Sequence, residues 1–414
     1  MTTGLSGLYA PARKAYTEGT HRVVEPAVTV SRALRLAPAM GITRAANITG
    51  LDSVGIPVVM VCRPNSRSLA VSQGKGLTLE DAKASAIMES VELYHAEHIT
   101  QPLKLASYEE LRYTHVLIDE KTLPRTSISL FNPTLRLLWI AGRDLMHEEV
   151  VWVPHELVHT DYTLPFPPGS GCFSFSSNGL ASGNHLLEAI SHGICELVER
   201  DATTLWHLKS EALQAKTRVD LGSVSDEACR SMLNRYADAD IEVAVWETTT
   251  DIGIASFLCT IFDAESAFRP LYPTSGMGCH PARDVALLRA LTEAAQSRLT
   301  LIAGSRDDAI RGRYEEALDR DAIRALRGAI AREAATRNIS DAPNWEAETL
   351  DEDVDWELGR LAAVGVERVV VVDLTKSELS LPVVRVVAPE LEGSDRVPGY
   401  LPGARGQAAL NHNR

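Results

Sequence analysis

Carboxylate side chains follow the polar face of one predicted helix near the middle of the chain. Across residues 184–201, apolar residues recur at three- and four-residue steps, which is typical of an amphipathic helix. At about 100° per residue, one side of this helix carries or adjoins Asn184, Glu188, Glu196 and Glu199, with Arg200 further round. Such a stripe is either a solvated face or one wall of a cation site. Matching carboxylates on other segments would favour the second interpretation.

Two more predicted helices carry polar residues at i, i+4 and i+7, a spacing that places them on one helical face. The first covers residues 78–98 and starts with a capping-box pattern. Its polar stripe consists of Ser85, Glu89 and Glu92. The second covers residues 281–302, with Pro281 in its first turn. Its polar stripe consists of Arg289, Glu293 and Gln296.

Carboxylates gathered from several helices repel one another unless a cation lies between them. Mg²⁺ takes hard oxygen ligands from carboxylates and from substrate phosphates, so the three stripes together predict a metal–nucleotide site. Lys75, Arg200 and Arg289 would neutralise phosphate charge that the metal ions do not reach. The alternative is surface acid on all three helices, with Asn184 serving as an ordinary helix N-cap.

Neither glycine-rich segment of the chain matches a phosphate-binding loop. The segment 73–76, Gln-Gly-Lys-Gly, lacks the Walker pattern because residue 69 is leucine and residue 76 is glycine. We therefore predict a turn there, with Lys75 still available as a phosphate ligand. The segment 276–278, Gly-Met-Gly, fails as a dinucleotide loop because Pro281 occupies the third glycine position. A nucleotide site in this chain would be built from helix faces.

The elements that must position these stripes are strands and further helices. Predicted strands cover 45–48 and 56–62 as a hairpin-like pair, then 68–72, 136–140, 150–153, 242–246, 255–262, 366–373 and 383–388. Further helices are predicted at 225–236 and, as a charged amphipathic stretch, at 307–338. Three segments are predicted to lack regular structure or burial: an irregular lead-in at 1–28, a Pro- and Gly-rich loop at 164–171, and a solvated acidic face at 344–357.

Composition excludes several classes of protein. With 414 residues, of which 45% are hydrophobic and 23% charged, the chain can build one large domain or two ordinary ones. Its net charge of −14 argues against a broad nucleic-acid surface. None of the six cysteines forms a C-x-x-C pair, which disfavours a cysteine zinc site and fits a reduced, cytoplasmic setting. Neither a signal-peptide pattern nor a membrane-spanning apolar run is present.

Taken together and in order, these motifs closely resemble the YcaO family. They are Gly74-Lys75-Gly76, Ser85-x-x-x-Glu89-x-x-Glu92, Ser182-Gly183-Asn184-x-x-x-Glu188, Glu196-x-x-Glu199-Arg200 and Arg289-x-x-x-Glu293-x-x-Gln296. The segment 278–308 is similar to YcaO proteins encoded beside a TfuA partner. The resemblance implies an α/β, ATP-binding fold with mixed sheets flanked by helices. It places an N-terminal lead-in at 1–39, the catalytic domain at 40–390 and a C-terminal tail at 391–414.

The resemblance implies an enzyme that uses ATP and Mg²⁺ to activate a peptide backbone amide. The residues that match the family's ATP and metal ligands are Ser85, Glu89, Glu92, Asn184, Glu188, Glu196, Glu199, Arg200 and Arg289, to which Lys75, Glu293 and Gln296 are added. The implied metal ligands are Glu89, Glu92, Glu188, Glu196 and Glu199. Phosphoryl transfer needs charge neutralisation and positioning more than covalent help from the protein. No cysteine or histidine is therefore assigned as a nucleophile.

In the implied reaction, a nucleophile adds to the amide carbon, the oxyanion takes the γ-phosphoryl group of ATP, and phosphate leaves with the former carbonyl oxygen. Sulfide as the nucleophile gives a thioamide, whereas a neighbouring Cys, Ser or Thr side chain gives an azoline ring. Many ring-forming members carry a proline-rich tail or a fused leader-binding domain, and the sequence 410–414, Leu-Asn-His-Asn-Arg, does not match such a tail. We therefore expect the thioamide branch.

The leading hypothesis is thus a thioamide-forming enzyme that acts on a peptide or protein with a TfuA-like partner. The resemblance also implies a homodimer, and neither nucleic acid nor a membrane is expected as a partner. The alternatives are an azoline-forming cyclodehydratase and a non-catalytic peptide-binding scaffold.

Overall fold

The computed structural model describes residues 10–264, 273–306 and 320–412. The α-helices in those ranges are α1 (Pro26–Leu36), α2 (Leu79–Glu97), α3 (Tyr108–Leu111), α4 (Leu186–His207), α5 (Glu211–Ala215), α6 (Glu227–Asp238), α7 (Arg283–Ala303), α8 (Arg320–Arg332), α9 (Leu350–Ala363) and α10 (Ala404–His412). The strands are β1 (Arg44–Asn47), β2 (Val58–Cys62), β3 (Val71–Lys75), β4 (Leu103–Ala106), β5 (Leu137–Asp144), β6 (Val150–Pro154), β7 (Leu180–Ser182), β8 (Ile241–Glu247), β9 (Ser256–Asp263), β10 (Thr274–Cys279), β11 (Val370–Asp373) and β12 (Val383–Val387).

Among the described residues, three antiparallel sheets flanked by helices confirm the predicted α/β fold. Two sheets have three strands each, in the orders β1-β2-β3 and β10-β9-β8. The third has six strands in the order β4-β5-β11-β12-β7, with β6 also paired to β5. The predicted hairpin-like pair is confirmed, because β1 pairs with β2 and places Arg44 opposite Cys62.

The first three-stranded sheet packs directly against helix α2, and glycine makes this contact close. A Cβ atom on Gly74 would lie 2.0 Å from the backbone nitrogen of Ala86, so only glycine fits there. Gln73, Gly74 and Lys75 belong to strand β3, and the turn predicted at 73–76 is therefore wrong. The predicted capping box is confirmed: Thr78 accepts a hydrogen bond from the Asp81 backbone N–H, and Asp81 accepts one from that of Thr78.

The second three-stranded sheet and helix α7 repeat this arrangement. A Cβ atom on Gly276 would lie 2.2 Å from the backbone nitrogen of Ala294, on helix α7. The Gly-x-Gly segment of β10 thus serves close strand–helix packing, as the one in β3 does. Helix α7 begins at Arg283, and Ala282 occupies the N-cap position. Pro281 therefore precedes the helix, and its predicted place in the first helical turn is wrong.

Helix α4 connects the sheets at the centre of the molecule. It packs against β7 and β12 of the six-stranded sheet and also against β9 and β10. Its buried face includes Leu187, Ile190, Ile194 and Val198, the apolar positions predicted from the helical period. Because α2 also contacts β7 and β12, and α7 contacts β3, the polar faces of all three helices turn toward one region.

The acidic segment 344–357 is not a solvated face throughout. Asp353 and Glu357, both on helix α9, are buried. Asp353 lies 2.6 Å from the Lys14 ammonium nitrogen, and Glu357 accepts a hydrogen bond from the Ser191 hydroxyl at 2.7 Å. The prediction of a solvated face is wrong at these positions because distant segments supply the buried partners.

The segments predicted as lead-in and tail both contain helices. Helix α1 lies within 1–39 and helix α10 within 391–414; the predicted domain boundaries themselves stay predictions. Helix α8 covers part of the charged stretch predicted at 307–338, and residues 307–319 of that stretch lie outside the described residues. No helix in the described ranges combines the length and the apolar character required to cross a membrane.

Candidate functional site

The polar faces of α2, α4 and α7 line one cavity of about 650 Å³. Its wall includes every residue predicted for the site: Lys75, Ser85, Glu89, Glu92, Asn184, Glu188, Glu196, Glu199, Arg200, Arg289, Glu293 and Gln296. Lys75 and Glu293 are 218 residues apart in the sequence, yet their side chains are in contact. The structure therefore brings the predicted residues together, and their individual roles toward ATP and Mg²⁺ stay predictions.

Helix α2 contributes two carboxylates that have neutral hydrogen-bond donors. Glu89 accepts a hydrogen bond from the backbone N–H of Gln73 at 3.3 Å, and Glu92 accepts one from the Ser182 hydroxyl at 2.7 Å. Neutral donors compensate a buried negative charge only weakly. Burial accordingly raises the pKa of Glu89 to about 7 and that of Glu92 to about 8.

The N-terminal end of α4 is closed by residues from the predicted lead-in. Glu188 lies 3.3 Å from Nε of Arg22 and accepts a hydrogen bond from the backbone N–H of Val23 at 3.2 Å. Asn184 donates from its side-chain amide to the Thr29 hydroxyl at 2.9 Å. The N-cap of α4 is His185, whose ring accepts from the backbone N–H of Leu187. The alternative role of Asn184 as the N-cap is therefore wrong.

The middle of α4 places a cation between two carboxylates. Arg200 lies 3.5 Å from Glu199 and 3.9 Å from Glu196, measured between guanidinium nitrogen and carboxylate oxygen. Burial raises the pKa of Glu196 to about 7, and it also raises the pKa of Glu199. The positive charge of Arg200 opposes both pKa shifts but does not cancel them. The two carboxylates therefore have too little positive charge nearby to offset the cost of burying their charged forms.

Contacts between β3 and α7 join the two sheet–helix units across the cavity. The Lys75 ammonium group lies 2.8 Å from Glu293, which also accepts a hydrogen bond from the backbone N–H of Met277. Burial alone would raise the pKa of Glu293, but Lys75 and Arg200 hold it below its usual value. Gln296 donates to the carbonyl oxygen of Gln73 at 3.2 Å.

The chemistry of this donor set fits Mg²⁺ with a nucleotide. Glu89, Glu92 and Glu196 are buried carboxylates with raised pKa values, and a divalent cation with oxygen ligands would favour their charged form. Arg289 has a buried Nε atom, and Gln296 a buried Oε1 atom, without a hydrogen-bond partner among the described residues. Within the described ranges, no three His, Cys, Asp or Glu side chains are grouped closely enough to hold one metal ion. The assignment of five metal ligands stays a prediction.

Arg22, Thr29 and His192 are among the cavity residues that the sequence analysis did not assign to the site. The position of His192 was available in the sequence, because it lies four residues from both Glu188 and Glu196 and so belongs to the same helical stripe. Burial, together with the cations Arg289 and Arg22, lowers the pKa of His192 well below its usual value, which keeps the ring neutral. Arg22 and Thr29 carry no sequence pattern that points to α4.

Comparison with known proteins gives matches over most of the chain. The family model described as YcaO cyclodehydratase, ATP- and Mg²⁺-binding, matches residues 73–392. An uncharacterized protein in the tfuA 3′ region of Rhizobium leguminosarum bv. trifolii is 38% identical over 376 residues, which cover 90% of this chain and 88% of that protein. An uncharacterized protein of Methanothermobacter thermautotrophicus is 34% identical over 362 residues, 85% of this chain and 90% of that protein.

Solved structures show the same fold. The YcaO protein of Methanopyrus kandleri, bound with AMPPCP and Mg²⁺, has a TM-score of 0.74 at 23% identity and covers 94% of this chain and 98% of its own. A heterocyclase in complex with substrate and cofactor has a TM-score of 0.76 at 24% identity over 93% of this chain. The matched region is 54% of that heterocyclase. On the family match and the identity to its relatives, this chain belongs to the YcaO family, and the predicted cofactors ATP and Mg²⁺ are confirmed as those of the family.

Proposed function

We propose that this chain converts a backbone amide of a peptide or protein into a thioamide, using ATP, Mg²⁺ and a TfuA-like partner. The observation that carries the proposal is the 38% identity to a protein in a tfuA 3′ region, which extends over 88% of that relative. The cavity supports it because it combines buried carboxylates with Lys75, Arg200 and Arg289 in one place. A homodimer and a cytoplasmic location stay predictions.

The residues of the cavity have separable tasks in this proposal. Mg²⁺-bound ATP would supply the phosphoryl group that converts the amide oxygen into a leaving group. Glu89, Glu92, Glu188, Glu196 and Glu199 would hold the metal ions through their carboxylate oxygens. The cations Lys75, Arg200 and Arg289, together with Arg22, would bind phosphate oxygens that the metal ions do not reach.

The sulfur would come from outside this chain. Five of the six cysteines are buried and Cys62 is partly buried, and none of the six lines the cavity as far as the structure is described. Hydrogen sulfide, the amide and ATP would give the thioamide, ADP and phosphate. The C–S bond forms, the C–O bond breaks, and the former carbonyl oxygen leaves in the phosphate. An external nucleophile must be captured and held, a task that suits a partner protein.

Reconstitution tests the proposal. We expect a candidate peptide incubated with this chain, ATP and Mg²⁺ to gain about 16 Da, the O-to-S difference of such a covalent change, only when sulfide and the partner are added. Leaving out ATP, sulfide or the partner in turn provides the controls. A loss of about 18 Da, as water, without sulfide would contradict thioamide formation.

Azoline formation is the second candidate function, favoured by the family description as a cyclodehydratase and by the fold shared with a heterocyclase. Here a Cys, Ser or Thr side chain of the substrate would replace sulfide as the nucleophile. The same mass measurement separates the two products. A non-catalytic scaffold would make neither product and would have no need of Mg²⁺–ATP, so absence of nucleotide binding would favour that third alternative.

A further inference from the structure

Two neighbouring segments beside the cavity expose large apolar side chains. In the 161–178 segment, Leu164 is 78% and Phe166 is 48% exposed, and in the 126–131 segment, Ile128 is 79% and Leu130 is 66% exposed. These include three of the four most exposed large apolar side chains in the described ranges. Scattered apolar residues need no explanation, but several exposed on two neighbouring segments indicate an interaction site.

Hydrogen bonds hold these segments in place, so their exposure is a feature of the folded chain. The buried Glu156 carboxylate accepts the backbone N–H groups of Gly171, Cys172 and Phe173. The backbone N–H of Leu130 donates to the carbonyl oxygen of Gly171 at 3.1 Å, which joins the two segments. A loop that is anchored and yet presents apolar groups to water is preorganised for binding.

A row of aromatic side chains leads from the cavity to this surface. Tyr162 lines the cavity, and its ring centroid lies 5.6 Å from that of Phe175. Phe175 in turn lies 6.0 Å from the exposed ring of Phe166. At the inner end, Ser177 also lines the cavity, and Arg385 donates to the carbonyl oxygen of Ser176 at 2.7 Å. The row is therefore continuous with the wall that carries the carboxylates.

The two segments carry a single charged residue type, Asp161, which pairs with Arg67 at 3.0 Å, although the whole chain has a net charge of −14. Residues 162–184 and 126–135 contain no Asp, Glu, Lys or Arg. Because Asp161 is already paired with Arg67, a charged ligand would find no unpaired opposite charge in these segments and would lose hydration on binding. The chemistry fits an uncharged occupant with large apolar side chains.

We propose that the 126–131 and 161–178 segments bind the substrate as an extended, uncharged peptide stretch with a large apolar side chain next to the amide that reacts. The peptide would lie along Phe166 and Phe175 and enter the cavity beside Tyr162. The inference rests on the proposed function, because it assumes that a peptide amide reacts in the cavity. It adds the class of sequence that this enzyme selects.

Fluorescent peptide probes test the inference without turnover. The apolar probe is a short fluorescein-labelled peptide with Phe and Leu on either side of a central Gly-Gly, and matched probes carry Ser or Asp at the Phe and Leu positions. We expect the full chain with Mg²⁺ and AMPPCP to bind the apolar probe at least about tenfold more tightly than the Ser probe. The Leu164→Ser/Phe166→Ser double variant should lose that preference.

Tyr113→Ser is the matched control, since Tyr113 is also 78% exposed but lies outside both segments, and it should keep the preference. The melting-temperature increase with Mg²⁺–ATP should be unchanged in both variants, which shows that fold and nucleotide site are intact. A wild-type chain that binds the Ser or Asp probe as tightly as the apolar one overturns the inference. A double variant that retains the preference also overturns the inference. A double variant that keeps the preference but no longer binds a TfuA-like partner would show that the surface binds that partner instead.

The outcome is separable from that of the proposed function. An enzyme that made azolines instead of thioamides would still show the probe preference, because binding precedes the chemical step. An enzyme that made thioamides without any probe preference would overturn only the inference about the substrate.

Discussion

The buried carboxylates of the cavity lower the stability of the metal-free chain. Glu89, Glu92 and Glu196 have pKa values raised to about 7, 8 and 7 because burial disfavours their charged forms. At neutral pH without a cation, the fold must either hold protons on these groups or bury their charges. Mg²⁺ bound by these carboxylates would remove this penalty, and we therefore expect the chain to be more stable with the metal ion than without it.

Glu92→Gln should stabilise the metal-free chain at alkaline pH. The pKa of Glu92 rises from 4.5 to about 8 on folding, so its contribution is intact at low pH and is lost as the pH rises through about 8. The melting temperature of the wild type in EDTA should therefore fall between pH 5 and pH 8.5, and that of the variant should fall less. Glu80→Gln, half-exposed on the same helix, is the control and should follow the wild type. Parallel curves for all three chains would contradict the prediction.

Glu199→Gln should reduce ATP hydrolysis by at least about 100-fold and leave the fold intact. The change keeps the size of a side chain that is 3% exposed but removes the charge that would bind the cation. Because burial already raises the pKa of Glu199, a neutral amide is tolerated there. Phosphate release beside a circular dichroism melt measures both effects, with the half-exposed Glu242→Gln as the control. Full activity in Glu199→Gln would remove this residue from the site.

Helix α4 is the element on which the site depends, and helix α10 holds it from the side opposite the cavity. Asp201, which follows Arg200 directly, is fully buried. Arg405 donates to it from Nε and Nη2 at 2.9 Å each, and the backbone N–H of Glu392 donates at 3.0 Å. These contacts fix the rotation of α4 about its own axis at the turn that contains Glu199 and Arg200.

Arg405→Gln should destabilise the chain by about 3 kcal/mol, because it leaves Asp201 buried without its cation. The affinity for Mg²⁺–ATP should fall as well, since the neighbouring Glu199 and Arg200 lose their fixed orientation. Urea denaturation and nucleotide titration measure the two effects. Arg13→Gln, a change at an exposed ion pair, is the control and should alter stability by less than about 0.5 kcal/mol. Unchanged stability in Arg405→Gln would show that backbone donors suffice for Asp201.

Local periodicity accounts for what could be predicted about these elements. The stripes of α2, α4 and α7 follow from residue spacing alone, and the capping box at Thr78 fixes the start of α2. Gly74 was misassigned to a turn because glycine is required there by the close approach of the Ala86 backbone. Local sequence does not reveal that contact. Asp353 was misassigned to the surface for a similar cause, since its partner Lys14 is far away in the sequence. The sequence therefore predicts elements well and long-range partners poorly.

At the scale of the whole molecule, the cavity is the seam between two similar sheet–helix units. Each unit has a three-stranded sheet whose last strand meets a helix through closely packed glycine, and each helix presents a polar stripe. Lys75 contacts Glu293, and Gln73 contacts Gln296, across the seam. A ligand that bridges both helices would therefore tie the two units together and stabilise the whole chain.

Mg²⁺ and ATP together should stabilise the chain far more than either alone. In the proposed site, carboxylates on α2 and α4 would bind the metal ion, whereas Arg289 and Lys75 would bind the phosphates, so neither ligand alone would contact both walls of the cavity. At roughly 100 times its dissociation constant, the complex should add about 2.7 kcal/mol. Thermal melts with Mg²⁺, with ATP and with both measure this, and ATP in a Mg²⁺-free buffer that contains EDTA is the control. Melting that is indifferent to the pair at millimolar levels would contradict the prediction.

Helix α4 receives partners from both ends of the described chain, since Arg22 reaches Glu188 and Arg405 reaches Asp201. During synthesis on the ribosome, Arg405 follows Asp201 by 204 residues, a delay of roughly 10–40 s at about 5–20 residues per second. Throughout that interval, α4 of the nascent chain lacks the contact between Asp201 and Arg405. We expect tight nucleotide binding to begin only after Arg405 has been synthesised and has reached Asp201, so chains that stop before Arg405 should bind Mg²⁺–ATP more weakly than the full chain in a nucleotide titration.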